Sequence, residues 1–191
     1  MTKDRLESFS DGVFAIVMTI LVLELKVPHG STFEALRPLL PVFLTYVLSF
    51  VYLAIYWNNH HHMLHTVHKV NGRILWANMH LLFWLSLIPF TTGWMGENHF
   101  ASEPSAVYGL VLLMASIAHT ILSREIVNLH GPDSLLAQAM GSDRKGKLSV
   151  VAYVAAIALA FVDQWISDAL YIMVAMMWLV PDQRIEAKLD H

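Results

Sequence analysis

Six stretches of the chain are apolar over helical lengths and are bounded by turn and charge signals. They run from about Leu6 to Val27, Pro38 to Asn58, Ile74 to Met95, Pro104 to Leu122, Leu148 to Val162 and Trp165 to Val180. The last two are short, and only Asp163 and Gln164 separate them, so they predict a tight hairpin. Pro89 predicts a kink in the third helix. Ala152, Ala156 and Ala160 form a small-xxx-small pattern on the fifth, which permits close helix contact. The longest polar segment, Asn128 to Lys147, carries Gly131, Pro132, Gly141 and Gly146 and predicts a flexible connector with a short helix over Ser134–Met140.

Composition turns this pattern into a membrane protein. The 191 residues are 56% hydrophobic and 14% charged, against roughly 45–50% and about 25% in ordinary soluble domains. A transmembrane helix needs about 20 apolar residues, so six use roughly 120 and leave about 70 for loops and ends. That remainder excludes a soluble globular enzyme and a large extramembrane domain. The expected architecture is all-α, a single six-helix transmembrane domain over residues 1–191. A net charge of −3 gives no reason to expect a nucleic-acid partner. Absence of Cys excludes disulfides and thiolate metal sites.

Basic residues set the orientation. With six spans both termini share one side, and the segments on that side hold Lys3, Arg5, Lys69, Arg73, Arg124, Arg144, Lys145, Lys147, Arg184 and Lys188. The opposite segments hold only Lys26 and Arg37. The excess predicts both termini in the cytoplasm.

The first helix carries the unusual chemistry. Residues 12 to 23 are free of charge, but they cover only about 18 Å at about 1.5 Å per residue, less than the hydrocarbon layer of about 30 Å. Filling the layer draws Asp11 and Glu24 into or near the membrane, where carboxylates are costly and mark function. At about 100° per residue, Gly12, Ile16, Thr19, Ile20 and Leu23 share one face, with Asp11 roughly opposite. Periodicity alone leaves that stripe open between lipid-facing, packed and functional surface.

The run Arg-x-x-x-Phe-Ser-Asp at Arg5, Phe9, Ser10 and Asp11 resembles the signature of the transmembrane protein 175 family of potassium channels. The following Gly-Val-Phe-Ala-Ile-x-x-Thr-Ile-Leu-Val-Leu-Glu-Leu is similar to its prokaryotic branch. The resemblance continues at Tyr56-Trp57-x-x-His60-His61 and from Trp76-x-Asn78 to Pro89-Phe90-Thr91, and so covers the first three helices. It implies a homotetramer of six-helix units in the cell membrane, with the first helix of each subunit lining a central pore. Carried over by position, the constriction consists of hydrophobic rings at Ile16, Ile20 and Leu23, with Thr19 one helical step away. The family favours potassium over sodium without a Thr-Val-Gly-Tyr-Gly filter, and this chain has no such loop. No cofactor is implied beyond the permeant potassium ion.

On this reading four Ile16 side chains form the narrowest ring and gate by dewetting. Potassium holds its water less tightly than sodium and meets the lower barrier. Glu24, at the pore mouth, raises the local cation concentration. Arg5, Phe9, Ser10, Asp11, His60, Trp76 and Asn78 hold helices and subunits together. For Asp11 the candidate partners are Arg5 of a neighbouring subunit, His60, Trp76 and Asn78.

Two other readings compete. His60, His61, His62, His65 and His68 cluster near the inner end of the second helix, and the spacings His61-x-x-x-His65 and His65-x-x-His68 predict pairs on one helical face, which suits metal ligation. A membrane metalloenzyme would need further histidine boxes, whereas His80, His119 and His130 are isolated and form none. The cluster therefore reads as an interfacial polar group, with no metal assigned. His80 and His119 are each expected to satisfy a buried hydrogen bond. A proton-coupled transporter could use Asp11 and Glu24, but inverted repeats and broken helices are not evident.

Overall fold

The computed structural model describes residues 2–141 and 143–179, which form helices joined by short connections. In chain order these are α1 (Lys3–Ile20), α2 (Leu40–His65), α3 (Gly72–Ser86), α4 (Ile88–Glu97), α5 (Ser102–His130), α6 (Leu135–Met140), α7 (Arg144–Leu159) and α8 (Gln164–Leu179). Tighter 3-10 turns prolong α1 over Leu21–Glu24 and lead into α2 over Phe33–Leu39. The predicted end of the last apolar window at Val180, with Arg184 and Lys188, lies outside the described residues.

Differences from the predicted boundaries have physical causes. Hydropathy marks where a membrane would end, whereas helices end where the backbone is diverted. Thus α2 runs past Asn58 through the histidines to His65, where the Thr66 N–H turns back to Met63 O at 3.2 Å. Helix α5 runs past Leu122 to His130 and stops at Gly131, whose φ of +92° suits glycine. The third window is divided at Leu87. Pro89 lacks the N–H that would bond the Leu85 carbonyl, and the Leu87 N–H closes instead on Trp84 O at 3.2 Å. The short helix expected near Ser134–Met140 is α6, capped by the Ser134 side chain.

Among the described residues four rods, Lys3–Glu24, Phe33–His65, Gly72–Glu97 and Ser102–His130, are long and apolar enough to cross a membrane. Helix α8 is described over 16 residues, Gln164–Leu179, and α7 has 16 in all, about 24 Å at about 1.5 Å per residue. That is shorter than the roughly 30 Å layer.

Helix α5 is the hub, packed by α3, α4, α7 and α8. Leu112, Ala115, Ala118 and Leu122 are fully buried along it. Ala152, Ala156 and Ala160 are likewise buried, as the small-residue pattern predicts. A polar knot fastens α2, α4, α5 and α8. Ser49 Oγ lies 2.6 Å from Thr92 Oγ1 and 3.0 Å from Tyr108 Oη. Tyr52 Oη donates to Tyr171 O at 2.6 Å, and Tyr171 Oη donates to Ser105 O at 2.9 Å. Inside a bilayer each such group must find a protein partner. This scaffold leaves α1 at the margin, in contact chiefly with α2 and α3.

Candidate functional site

Helix α1 has two distinct faces. Leu6, Ser10, Phe14, Val17 and, in the 3-10 extension, Leu21 are buried at spacings of three and four residues, as one side of a helix requires. Gly12, Ile16, Thr19, Ile20 and Leu23 are exposed on the other side. Ile16 is 59% exposed and Leu23 74%, so none of the described residues covers them fully. The five residues predicted to share a face do share it. Thr19 Oγ1 donates to Ile16 O at 2.9 Å. With its proton engaged, the hydroxyl presents lone pairs outward.

The buried face is anchored by hydrogen bonds to two helices. Ser10 Oγ donates to Leu6 O at 2.8 Å and accepts from Asn78 Nδ2 at 3.0 Å. The Asn78 amide oxygen therefore faces His60 Nε2, 2.7 Å away, and His60 donates. The His60 ring also packs on Phe14, with centroids 5.4 Å apart. This chain joins α1, α2 and α3 through residues that are all buried.

Asp11 is held separately. Its Oδ1 accepts from Trp57 Nε1 at 2.9 Å. The partners expected within the subunit were His60, Trp76 and Asn78, so this corrects the assignment. His60 and Asn78 are engaged with each other and with Ser10. Trp76 is 78% exposed on the outer side of α3. Arg5 and Phe9 are exposed and remain open to contacts beyond the subunit.

At the other end of α1, Glu24 folds back over α4. A Cβ added at Gly93 would meet the Glu24 carboxylate, with Cδ 2.9 Å away, so the glycine supplies the space the side chain occupies. Lys26 pairs with Glu97 close by. The hydrogen bond from Lys26 to Glu97, followed by the charge of Glu97, raises the ammonium pKa above its ordinary value. An open cleft of about 630 Å³ separates α1 from α4 and is lined by Ile16, Ile20, Glu24, Phe90 and Trp94 among others.

The histidines divide into separate environments, and His68 does not share a helical face with His65, because α2 ends at His65. His61 and His65 lie 3.1 Å apart at Nε2, and Glu7 of α1 reaches both. His130 accepts the backbone N–H groups of His68 and Lys69 at 3.0 and 3.3 Å. His80 accepts from Trp84 Nε1 at 2.9 Å, as expected of a satisfied histidine. His119 departs from that expectation, since its Nε2 is buried without a hydrogen-bond partner among the described residues.

Glu7 and Gly93 are not singled out by the sequence, and Trp57 enters it only within the Tyr56-Trp57-x-x-His60-His61 resemblance, without a role. Trp57 holds Asp11, and its place one turn before His61 on α2 is a signal that could have found it. Glu7 lies one turn before Asp11 on α1. Gly93 reveals itself only through Glu24. Asp168, buried in α8, is a further carboxylate within an apolar helix.

The family pattern described as the endosomal/lysosomal potassium channel TMEM175 matches residues 5–89. A potassium channel of Chryseobacterium sp. (strain P1-3) is 55% identical over 189 residues, 99% of this chain and 98% of that protein. The endosomal/lysosomal proton channel TMEM175 of Gallus gallus is 32% identical over 133 residues, 61% of this chain and 26% of that protein. Among solved structures, a lysosomal potassium-selective channel TMEM175 homolog from Chamaesiphon minutus superposes with a TM-score of 0.81. It is 28% identical, and the match covers 94% of this chain and 97% of that one.

Proposed function

This chain belongs to the TMEM175 family, and on that premise we propose that it is a potassium-selective cation channel whose pore is lined by α1. Four copies surround the axis. Each contributes six membrane-crossing rods: α1, α2, the α3–α4 pair, α5, α7 and α8. Both termini face the cytoplasm, and the channel resides in the cell membrane. The relatives are ion channels, not enzymes.

The observation that carries the reading is the division of α1. Ser10 and Asp11 bond inward to α3 and α2, while Ile16, Thr19, Ile20 and Leu23 form a stripe left exposed by the described residues. One copy cannot enclose a path along a single helix, but four such stripes can. Ile16 forms the tightest ring, and an ion crossing it sheds part of its water. Thr19 lone pairs, one step away, offset some of that loss for a cation. Glu24, held over Gly93, adds negative potential at the outer end.

The test is Ile16→Asn in reconstituted protein, recorded in mixed potassium and sodium. A hydrophilic ring should raise conductance and reduce the preference for potassium. Unchanged conductance and selectivity would remove Ile16 from the constriction. A second reading, proton permeation, is favoured by the name proton channel carried by the Gallus gallus relative. The same recordings under a pH gradient would register it as a shift of reversal potential.

A further inference from the structure

We propose that Glu7, His61 and His65 form a binding site for a divalent transition-metal ion such as zinc, bridging α1 to α2. Three observations converge on it. The helical spacing of His61 and His65 brings their Nε2 atoms to 3.1 Å. Glu7 Oε1 lies 3.5 Å from His61 Nδ1 and 3.8 Å from His65 Nε2, and one ligand atom can be chosen from each residue with all three within 4.8 Å. His61 Nδ1 is buried and has no hydrogen-bond partner among the described residues.

The spacing suits zinc. Bonds of about 2.0–2.2 Å in tetrahedral geometry separate ligand atoms by about 3.3–3.6 Å. Small rotations of Glu7 and His65, both partly exposed, supply the remaining adjustment. Two imidazoles and a carboxylate leave a fourth position for water, as in open zinc sites.

The surroundings hold the ligands ready. His61 stacks on Trp57, with ring centroids 5.7 Å apart and planes at 25°. Trp57 is itself fixed by Asp11. Lys3 Nζ donates to the His65 carbonyl at 3.4 Å, closing the start of α1 on the end of α2. The cluster thus joins the two helices about one turn away from the Asp11–Trp57 bond. A bound ion would restrain α1 at that end. This consequence rests on the pore reading, whereas the binding does not.

The experiment uses the full chain, purified in detergent and stripped with EDTA. Zinc stoichiometry is read by equilibrium dialysis, and coordination by the visible spectrum of a cobalt(II) titration. The expected result is one ion per chain, with the absorption of a four-coordinate site. A residue that merely hydrogen-bonds to a ligand is worth about 10–100-fold in metal affinity. Loss of a ligand in His65→Ala or Glu7→Gln should therefore weaken binding by at least about tenfold, while His68→Ala leaves it unchanged. Glu7→Gln preserves shape, so a folding failure of His65→Ala cannot mask the outcome. Substoichiometric binding, or wild-type affinity in Glu7→Gln, overturns the site. Metal binding by a protein that conducts no potassium would overturn the pore reading and leave this site standing.

Discussion

Asn78 is the residue whose loss the structure prices most directly. It is fully buried on α3, donates to Ser10 on α1 and accepts from His60 on α2. Asn78→Leu keeps an apolar side chain of similar reach and deletes both bonds. Interhelical hydrogen bonds in a membrane average about 0.6 kcal/mol and reach about 1.7, so two are worth about 1–3 kcal/mol. The substitution also strands the His60 Nε2–H, and an unpaired buried donor costs about 1–3 kcal/mol. The sum, about 2–6 kcal/mol, makes the stranded donor as important as the lost bonds.

A double-mutant cycle separates this network from a general packing defect. In the wild type, Ser10→Ala removes the bond to Asn78. In Asn78→Leu that bond is already gone, and the hydroxyl keeps only its Leu6 carbonyl. Ser10→Ala should therefore cost about 0.6–1.7 kcal/mol more in the wild type than in Asn78→Leu. Equilibrium unfolding in mixed micelles, followed by tryptophan fluorescence, measures all four proteins. Equal costs of Ser10→Ala in both backgrounds would refute the three-residue chain as the tie between α1 and its neighbours.

Two further outcomes follow from the outer end of α1. In Gly93→Ala, alanine favours the helix by about 1 kcal/mol, while its Cβ evicts the flexible end of Glu24. Stability should hardly change, and single-channel conductance at low ionic strength should fall in the direction of Glu24→Gln. Wild-type conductance in Gly93→Ala beside a lowered one in Glu24→Gln would show that the position of Glu24 is immaterial. For Lys26 and Glu97 the expectation is a near-silent phenotype, because the lysine is fully exposed and solvent screens the pair. Its pKa is raised in the folded protein, so any contribution is complete below the ordinary lysine range and disappears as pH rises through the folded value. Glu97→Gln should leave the thermal midpoint unchanged at neutral pH, and a drop there would give the pair a structural weight denied here.

The apolar windows were legible because a bilayer demands them at nearly fixed length, and Pro89 marked its break because no sequence can replace its missing N–H. Helix ends were less legible. At His60–His65 and at Ser123–His130 the composition turns polar while the backbone has no cause to leave the helix, so hydropathy stopped a turn or two early.

For the site, the decisive asymmetry lies between polar and apolar residues. An apolar stripe such as Ile16, Ile20 and Leu23 is equally content against lipid, protein or a narrow pore, so periodicity gives its membership and not its use. A polar group in hydrocarbon has no such freedom. Asp11, Ser10, His60 and Asn78 each had to find a partner, and their sequence positions announced that need. What sequence could not supply was the rotation of α2 against α1, which places Trp57 before Asp11 and His60 before Asn78. Once those partners fix the buried side of α1, the opposite side is no longer arbitrary. The stripe must face whatever lies beyond the subunit, and the polar face thereby orients the apolar one.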